Sequence, residues 1–520
     1  MRVLLINGNL KDDFLAAPPI GLSYVASAAE DAGHDVRVLD LCFRKNIRRD
    51  MENALRGFCP EAVGISIRNI DNVNLLHPVD YLPEAEKMVR HIRKLSDAPI
   101  VLGGSGVSLS PRSVFERLGA DYVIAGEGEA GFVKLLDRLQ NGSSPGDIPG
   151  LGMKVNGEYC MTPPVLGDFR GKDARLGRWV DMRPYMKMGS SYTIQTKRGC
   201  LLRCIYCTYN QVLEGSKLRL RPPLEVVDEL EEALLRYQPE SFEFVDSVFN
   251  LPNDHCMEIL EEICRRPWKA RFTAMGVHPA RLDLPVMDLM WKAGFRSFMI
   301  TPESASETMI RNYRKGFCVD DLVHAAEAVK KTPFTVMWFF LVGGPGETNG
   351  TLKETLDFNL KHLQPVDRPP YNMCNFYLGV RLYPGTEMWE IAGEDKFITD
   401  DSDPLDQLWY VSEGLDLQRA VDQLVDAART CPEIVLGFDE QFLALSGIVS
   451  RVGDLFRMVK PYWRHTWGLN RLLIMTGLRY PFGPPDVVPR IRQYLKRQGY
   501  RGLHLSRGAG SGRSCTGGSH

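Results

Sequence analysis

Residues 195–210 read QTKRGCLLRCIYCTYN. Cys200, Cys204 and Cys207 fall within eight residues, and Tyr206 sits between the last two. Three thiolates are one short of closing a tetrahedral metal site. They suffice to hold a [4Fe–4S] cluster by three of its irons, which leaves the fourth iron for a ligand that is not protein. The trio directly follows SYTIQT (191–196), which reads as a strand. A loop just past a strand end is where β/α barrels carry their chemistry, so the metal reading of the trio predicts the fold around it. The competing reading is a zinc ion closed by a distant donor, with Cys160, Cys256 or His255 available. Structural zinc sites usually come as paired half-sites, and no second CxxC is present.

Outward from the trio, a β/α series runs from about 188 to 395. Its later strands are SFEFVD (241–246), ARFTAMG (270–276), RSFMIT (296–301), FTVMWFFLVGG (334–344) and MCNFYLGVRLYP (373–384). Helical segments such as PLEVVDELEEALLRY (223–237) separate them, and six such units predict a partial (β/α)6 barrel. Residues 1–140 form an earlier series with strands at RVLLIN (2–7), DVRVLDL (35–41), AVGISI (62–67), PIVLGG (99–104) and DYVIAG (121–126). These five units predict a doubly wound parallel sheet, and the flavodoxin-like strand order is expected. NGSSPGDIPGLG (141–152) opens a linker that reaches residue 187 and holds a small hairpin. Beyond about 396 the strand pattern stops. An α-rich domain is expected to 507, followed by a disordered tail, GAGSGRSCTGGSH (508–520).

A chain of 520 residues is too long for one core, in keeping with several domains. Its net charge of −2 gives no footprint for nucleic acid. No apolar run is long enough to span a membrane, and MRVLLINGN reads as a first strand rather than a signal peptide, so a cytoplasmic protein is expected. Twelve cysteines are scattered along the chain and only the trio clusters, which fits buried thiols plus one metal-binding group.

A doubly wound sheet binds its ligand outside the carboxyl ends of its strands. Two Gly-rich segments lie there: Gly103, Gly104 and Ser105 after the fourth strand, and Gly126, Glu127, Gly128 and Glu129 after the fifth. One such loop would be only a turn; two on one edge let backbone amides approach a large ligand closely. A dinucleotide fits poorly, because no GxGxxG follows the first strand.

Residues 191–390 resemble a radical AdoMet (radical SAM) enzyme, with Tyr206 as the aromatic residue of the CxxxCxΦC motif. The resemblance implies that S-adenosyl-L-methionine chelates the open iron and is cleaved to a 5′-deoxyadenosyl radical. It implies AdoMet contacts from Tyr206, from Asp246 and Ser247 in place of a Gly-Gly-Glu motif, from Glu303 in TPESAS, and from the backbone of Gly343 and Gly344 in VGGPGET. Alone, GGPG is a tight turn and Glu303 could cap a helix near Ser304. The N-terminal series, through PPIGLSYVASAAEDAGHDVRVLD and VIAGEGE, resembles the cobalamin-binding domain that precedes many such modules. No DxHxxG motif occurs, and His34 lies at the wrong end of the sheet, so base-off cobalamin without a histidine ligand is inferred. Arg68 and Asn69, just past the third strand, are candidates for its lower face, unless Arg68 pairs with Asp71.

Both modules together imply a cobalamin-dependent radical SAM methyltransferase acting on an unactivated carbon of a small molecule. A non-methylating enzyme of the same architecture (a cyclase, a ring-contracting enzyme or an oxidase) and a merely interacting N-terminal domain are the alternatives. An electron donor such as flavodoxin or ferredoxin is expected as a partner. From Arg451 to Arg507 the chain is basic, with Phe456, Tyr462, Trp463, Trp467 and Phe482 interleaved. This is either a solvated helical face or a peripheral membrane contact.

Overall fold

The computed structural model of the chain describes residues 1–10, 16–76, 78–364, 372–437, 440–456, 458, 463–478 and 487–498. The expected tail 508–520 lies outside them, as do Arg457, Lys460, Tyr462, Arg479, Phe482, Arg501 and Arg507.

Strands and helices alternate first as β1 (Arg2–Asn7), α1 (Ile20–Asp31), β2 (Asp35–Asp40), α2 (Ile47–Phe58), β3 (Ala62–Ser66) and α3 (Leu82–Arg93). The series continues as β4 (Ile100–Gly103), α4 (Ser105–Leu109), α5 (Pro111–Leu118), β5 (Tyr122–Ile124) and α6 (Gly128–Gln140). The strands run parallel in the flavodoxin-like order β2-β1-β3-β4-β5. Helices cover both faces, which is why β1 is apolar without interruption. Leu4 and Ile6 pack toward α2 and α3, whereas Val3 and Leu5 pack toward α1 and α6. Within the expected linker, β6 (Leu151–Val155) and β7 (Glu158–Met161) form a hairpin that extends the same sheet antiparallel to β5.

The barrel follows. β8 (Tyr192–Ile194) leads to the short β9 (Lys197–Arg198), which pairs antiparallel with β10 (Arg219–Leu220). β11 (Phe242–Phe244) lies between β8 and β12 (Phe272–Ala274), all parallel. A bridge from Phe272 to Phe295 leads on to β13 (Ser297–Glu303), β14 (Thr335–Val342) and β15 (Asn372–Leu378), again parallel. The run expected as one sixth strand breaks at Gly379, whose φ is 86°. Its second part, β16 (Val380–Arg381), turns to pair with β17 (Trp409–Tyr410).

One expectation needs correction: the strand pattern does not stop at 396. β18 (Ile434–Leu436) pairs in parallel with β15 and adds a seventh strand to the barrel wall. Its three apolar residues are too short a run to show a period. The rest of the C-terminal part is helical, with helices at 417–430, 440–456, 463–475 and 487–497.

Candidate active site

The loop that carries the cysteine trio is built tightly. Asp246, at the end of β11, accepts bonds from Thr196 N (2.7 Å), Thr196 Oγ1 (2.7 Å) and Lys197 N (3.2 Å). Gly199 has a φ of +89°, and a Cβ there would meet the Lys217 carbonyl at 2.2 Å, so only glycine fits. Gly199 N donates to Glu214 Oε2 (2.9 Å) and Cys200 N to the Gly215 carbonyl (3.1 Å).

Cys200 and Cys204 are buried and Cys207 is half-buried. Burial pushes the Cys200 thiol up to about 11 and raises Cys207 as well. Backbone N–H groups of Leu202 toward Cys200, and of Asn210 and Tyr209 toward Cys207, work the other way and favour the thiolates. N–H donors on sulfur are what an iron–sulfur ligand set requires. The thiols are near enough to raise one another's pKa. Among the described residues, no three His, Cys, Asp or Glu side chains converge on a single-ion site. The alternative zinc donors are engaged elsewhere. His255 Nε2 meets the Arg221 carbonyl (2.8 Å), Cys256 is buried beside Lys197, and Cys160 is exposed on β7.

A buried triad stands next to the trio. Tyr206 Oη donates to Glu303 Oε1 (2.5 Å), and Lys315 Nζ donates to Tyr206 Oη (2.8 Å) and to Glu303 Oε1 (3.2 Å). Burial works against the Lys315 cation, but Cys204 and Glu303 together overcome it and hold its pKa above the ordinary lysine value. Glu303 has φ 64°, at a register break in β13. Such a strained backbone marks a functional site more often than a packing accident. It does not cap a helix at Ser304; the next helix begins at Glu307.

The other expected AdoMet residues differ in availability. Asp246 is occupied by the loop. Ser247 Oγ is buried and has no hydrogen-bond partner among the described residues. Gly343 N and Gly344 N both donate to Glu347 Oε2, at 2.6 and 3.2 Å. Their carbonyls accept from Ser412 N (2.8 Å) and Glu347 N (3.0 Å), so this segment is an internally satisfied turn.

Between the first sheet and the barrel lies a cavity of about 640 Å³. Arg68, Gly103, Gly104, Ser105, Gly126, Glu127, Gly128 and Glu129 all line it; Asn69 does not, and borders a smaller hollow with Tyr81 and Glu84. Gly104, with φ +103°, is also required by packing, since a Cβ would meet the Ile67 carbonyl at 2.5 Å. At Gly103 a Cβ would meet only the Ile124 carbonyl, at an ordinary 3.8 Å, so packing alone does not require glycine there. Asp71 pairs with Arg381 at 2.9 Å, both buried, rather than with Arg68. The Arg68 guanidinium has no carboxylate partner among the described residues. His34 lies at the start of β2 beside the N-terminus, and no histidine among the described residues lines the cavity.

Several participants escaped the sequence reading. Arg198 binds Glu129 (2.6 Å) and Glu127 (3.5 Å), and Arg219 also binds Glu127, so the fifth-strand loop is bolted to the cysteine loop. Lys315 gave no local signal. Glu243 did, because it is a charged residue at the inward position of an otherwise apolar strand.

The B12 binding domain model matches residues 14–136, and the Radical SAM superfamily model matches residues 194–358. A B12-binding sheet set over a radical SAM barrel, with a shared cavity, defines a radical SAM enzyme that carries a cobalamin module. An uncharacterized methyltransferase of Pyrococcus horikoshii is 25% identical over 379 residues, covering 72% of this chain and 78% of its own length. Tryptophan 2-C-methyltransferase of Streptomyces laurentii is 26% identical over 446 residues, covering 74% and 73%. The structure of the radical S-adenosylmethionine methyltransferase TsrM from Kitasatospora setae, with cobalamin and a [4Fe–4S] cluster bound, superposes with a TM-score of 0.75 at 25% identity, over 92% of this chain and 99% of that one. The chain carries a B12 binding domain and a radical SAM domain, and these three relatives, which it resembles over most of its length, are methyltransferases.

Proposed function

We propose that this chain is a cobalamin-dependent radical SAM methyltransferase that moves a methyl group from AdoMet, by way of cobalamin, to an unactivated carbon of a small molecule. One observation carries this reading: the glycine-edged cradle and the barrel lumen border a single cavity, which Arg198 and Tyr209, flanking a thiol trio supplied with N–H donors, also line. When bound, the [4Fe–4S] cluster with AdoMet supplies a radical, and cobalamin supplies a methyl group that no side chain can carry.

The chain's own part is to bind and position. Cys200, Cys204 and Cys207 hold the cluster. Tyr206, Glu303 and Lys315 form the polar wall beside it, and Ser247 offers an unused hydroxyl. Gly343 and Gly344 form a buried turn that shapes this strand end and offers no free amide, and Asp246 fixes the loop. Gly103, Gly104, Ser105, Gly126 and Gly128 would cradle cobalamin, and Arg68, rather than a histidine, would border it. Residues 1–140, with the β6–β7 hairpin added to their sheet, are the cobalamin domain; 188–395, with β18 added to its wall, are the radical module; the described helices from 440 onward are the C-terminal part. The electron donor is a small reductase partner of the flavodoxin or ferredoxin kind.

No helix among the described residues is long and apolar enough to cross a membrane. We place the protein in the cytoplasm, with peripheral membrane contact through the exposed Leu455, Phe456, Met475 and Leu478. Flotation with anionic liposomes, lost on deleting residues 440–507, is the expected result; no flotation of the full chain refutes the contact.

Anaerobic reconstitution with iron, sulfide, cobalamin and methyl-labelled AdoMet tests the whole reading. Label entering cobalamin, and then a product 14 mass units heavier than its substrate, is expected from methyl transfer. Cluster and cobalamin loading without label transfer refutes it.

A further inference from the structure

In the first half of the barrel, register sets the inward side chains in rows. Glu243 of β11 lies opposite Thr193 of β8 on one side and Thr273 of β12 on the other, and all three line the cavity. Most polar groups around this row are paired. Ser191 and Ser241, one row toward the strand starts, bond each other at 2.7 Å, and Ser297 Oγ donates to Thr273 Oγ1 at 3.2 Å. Glu243 is different, for its carboxylate has neither a hydrogen bond nor an ion pair among the described residues. Its neighbour Thr193 is 4% exposed, and its hydroxyl is likewise unpartnered. Thr193 breaks the rule that buried polar groups are satisfied, and Glu243 is half-buried with its carboxylate open to the cavity; an unpaired charge beside an unpaired hydroxyl on one cavity wall points to a ligand.

The opposite wall is of another kind. Met299, Met337, Phe339 and Met373 form an apolar cluster with Val435 of β18 and Phe442, and Met299 and Met337 reach the same cavity as Glu243. The barrel side of the cavity therefore sets Glu243 on a polar wall, with Arg271 and Arg296 nearer the strand starts, against a deformable, methionine-rich wall. No fold-stabilising duty explains the glutamate, since it caps no helix and closes no ion pair. Burial drives its carboxyl up to about 7, with Arg68 across the cavity pulling the other way.

We propose that Glu243 is the residue that recognises the substrate, its carboxylate receiving an ammonium or N–H group of a small molecule whose apolar body rests on Met299 and Met337. Substrates with a carboxylate or phosphate at this level are rejected by the same charge. This inference rests on the proposed function, because it takes the shared cavity as the substrate site.

The test uses the full chain, anaerobically reconstituted with cluster and cobalamin, as wild type, E243Q and E243D. The probes are 2-phenylethylamine and 3-phenylpropionate, matched in size and opposite in charge, with binding measured by calorimetry. The wild type is expected to hold the amine about ten-fold more tightly than the acid. That preference should vanish in E243Q and return in part in E243D, with cluster and cobalamin absorbance unchanged in all three. Equal or stronger binding of the acid, no binding of either probe, or an amine preference surviving in E243Q overturns the inference while the loaded cofactors leave the proposed function standing. A wild type that loads neither cofactor sinks both.

Discussion

Lys315 shows how much one buried cation can decide. It stands within hydrogen-bond distance of Tyr206 and Glu303 and feels the charge of Cys204 and Cys207. A positive charge at that place favours thiolate over thiol and favours electron entry into whatever the thiolates hold. Lys315→Met keeps the bulk and removes the charge. The cluster should still load, and its reduction potential should fall by about 50–100 mV, the equivalent of one to two kcal/mol at a partly screened distance. A redox titration followed by electron paramagnetic resonance reads this directly, and an unmoved potential would mean that the lysine acts only through packing. Glu347 is a second residue whose protonation matters. Burial raises its pKa from 4.5 to about 7, although Gly343 and Gly344 donate to it. A carboxyl that is harder to ionise folded than unfolded adds stability below its unfolded pKa, and that stability is lost as the pH climbs through the folded value. Between about pH 5 and pH 8, wild type should therefore lose up to about 3 kcal/mol relative to Glu347→Gln, whose amide oxygen can still accept from the turn. Denaturant melts of both proteins at the two pH values check this. A constant difference between them would show that the carboxyl titrates alike in both states.

At the scale of elements, the barrel rests on an aromatic stack behind its first sheet. Phe244 lies 4.6 Å from Phe249, 5.7 Å from Phe272 and 5.6 Å from Phe295, centroid to centroid, and is fully buried. Phe244→Ala should cost about 3–5 kcal/mol and lower the barrel's unfolding midpoint in calorimetry. A shift confined to the transition of the N-terminal sheet, β1 to β7, would show that the stack does not hold the barrel. The same elements explain what could be read from the sequence. β11 was legible because alternate residues differ, with Glu243 facing in between Phe242 and Phe244, and β14 because TVMWFFLV is one long apolar run. The glycine edge and the thiol loop were legible because glycine and cysteine carry their chemistry locally. β18 was not, being too short to show a period. Nor were the partners of Glu127, Glu129 and Asp71, because ion pairs closed by the fold leave no local trace. Asp246 and Gly343 were placed at the correct strand ends, yet their polar groups bond within the protein, which spacing alone cannot reveal.

Over the whole molecule, two modules must be held so that a cradle on one faces a loop on the other. The fifth-strand loop, Gly126 to Glu129, and the segment just before Cys200 are joined by Arg198, which binds Glu129 at 2.6 Å and lies over the rings of Phe169 (4.3 Å) and Tyr24 (5.0 Å). Arg198 is 8% exposed and Glu129 6%, so neither charge can turn to water if its partner is lost. A buried pair of this kind adds little over an apolar pair, but breaking it leaves an uncompensated charge, at a cost of about 3–5 kcal/mol. Arg198→Met should therefore loosen the contact between the modules and speed amide hydrogen exchange in residues 126–132 and 196–200. Adding Glu129→Gln removes the stranded charge and should recover most of the lost protection, a coupling that only directly interacting residues show. If the double variant exchanges as fast as the single one, the modules are held by other ties than this pair, such as Glu127 with Arg219 or Asp71 with Arg381.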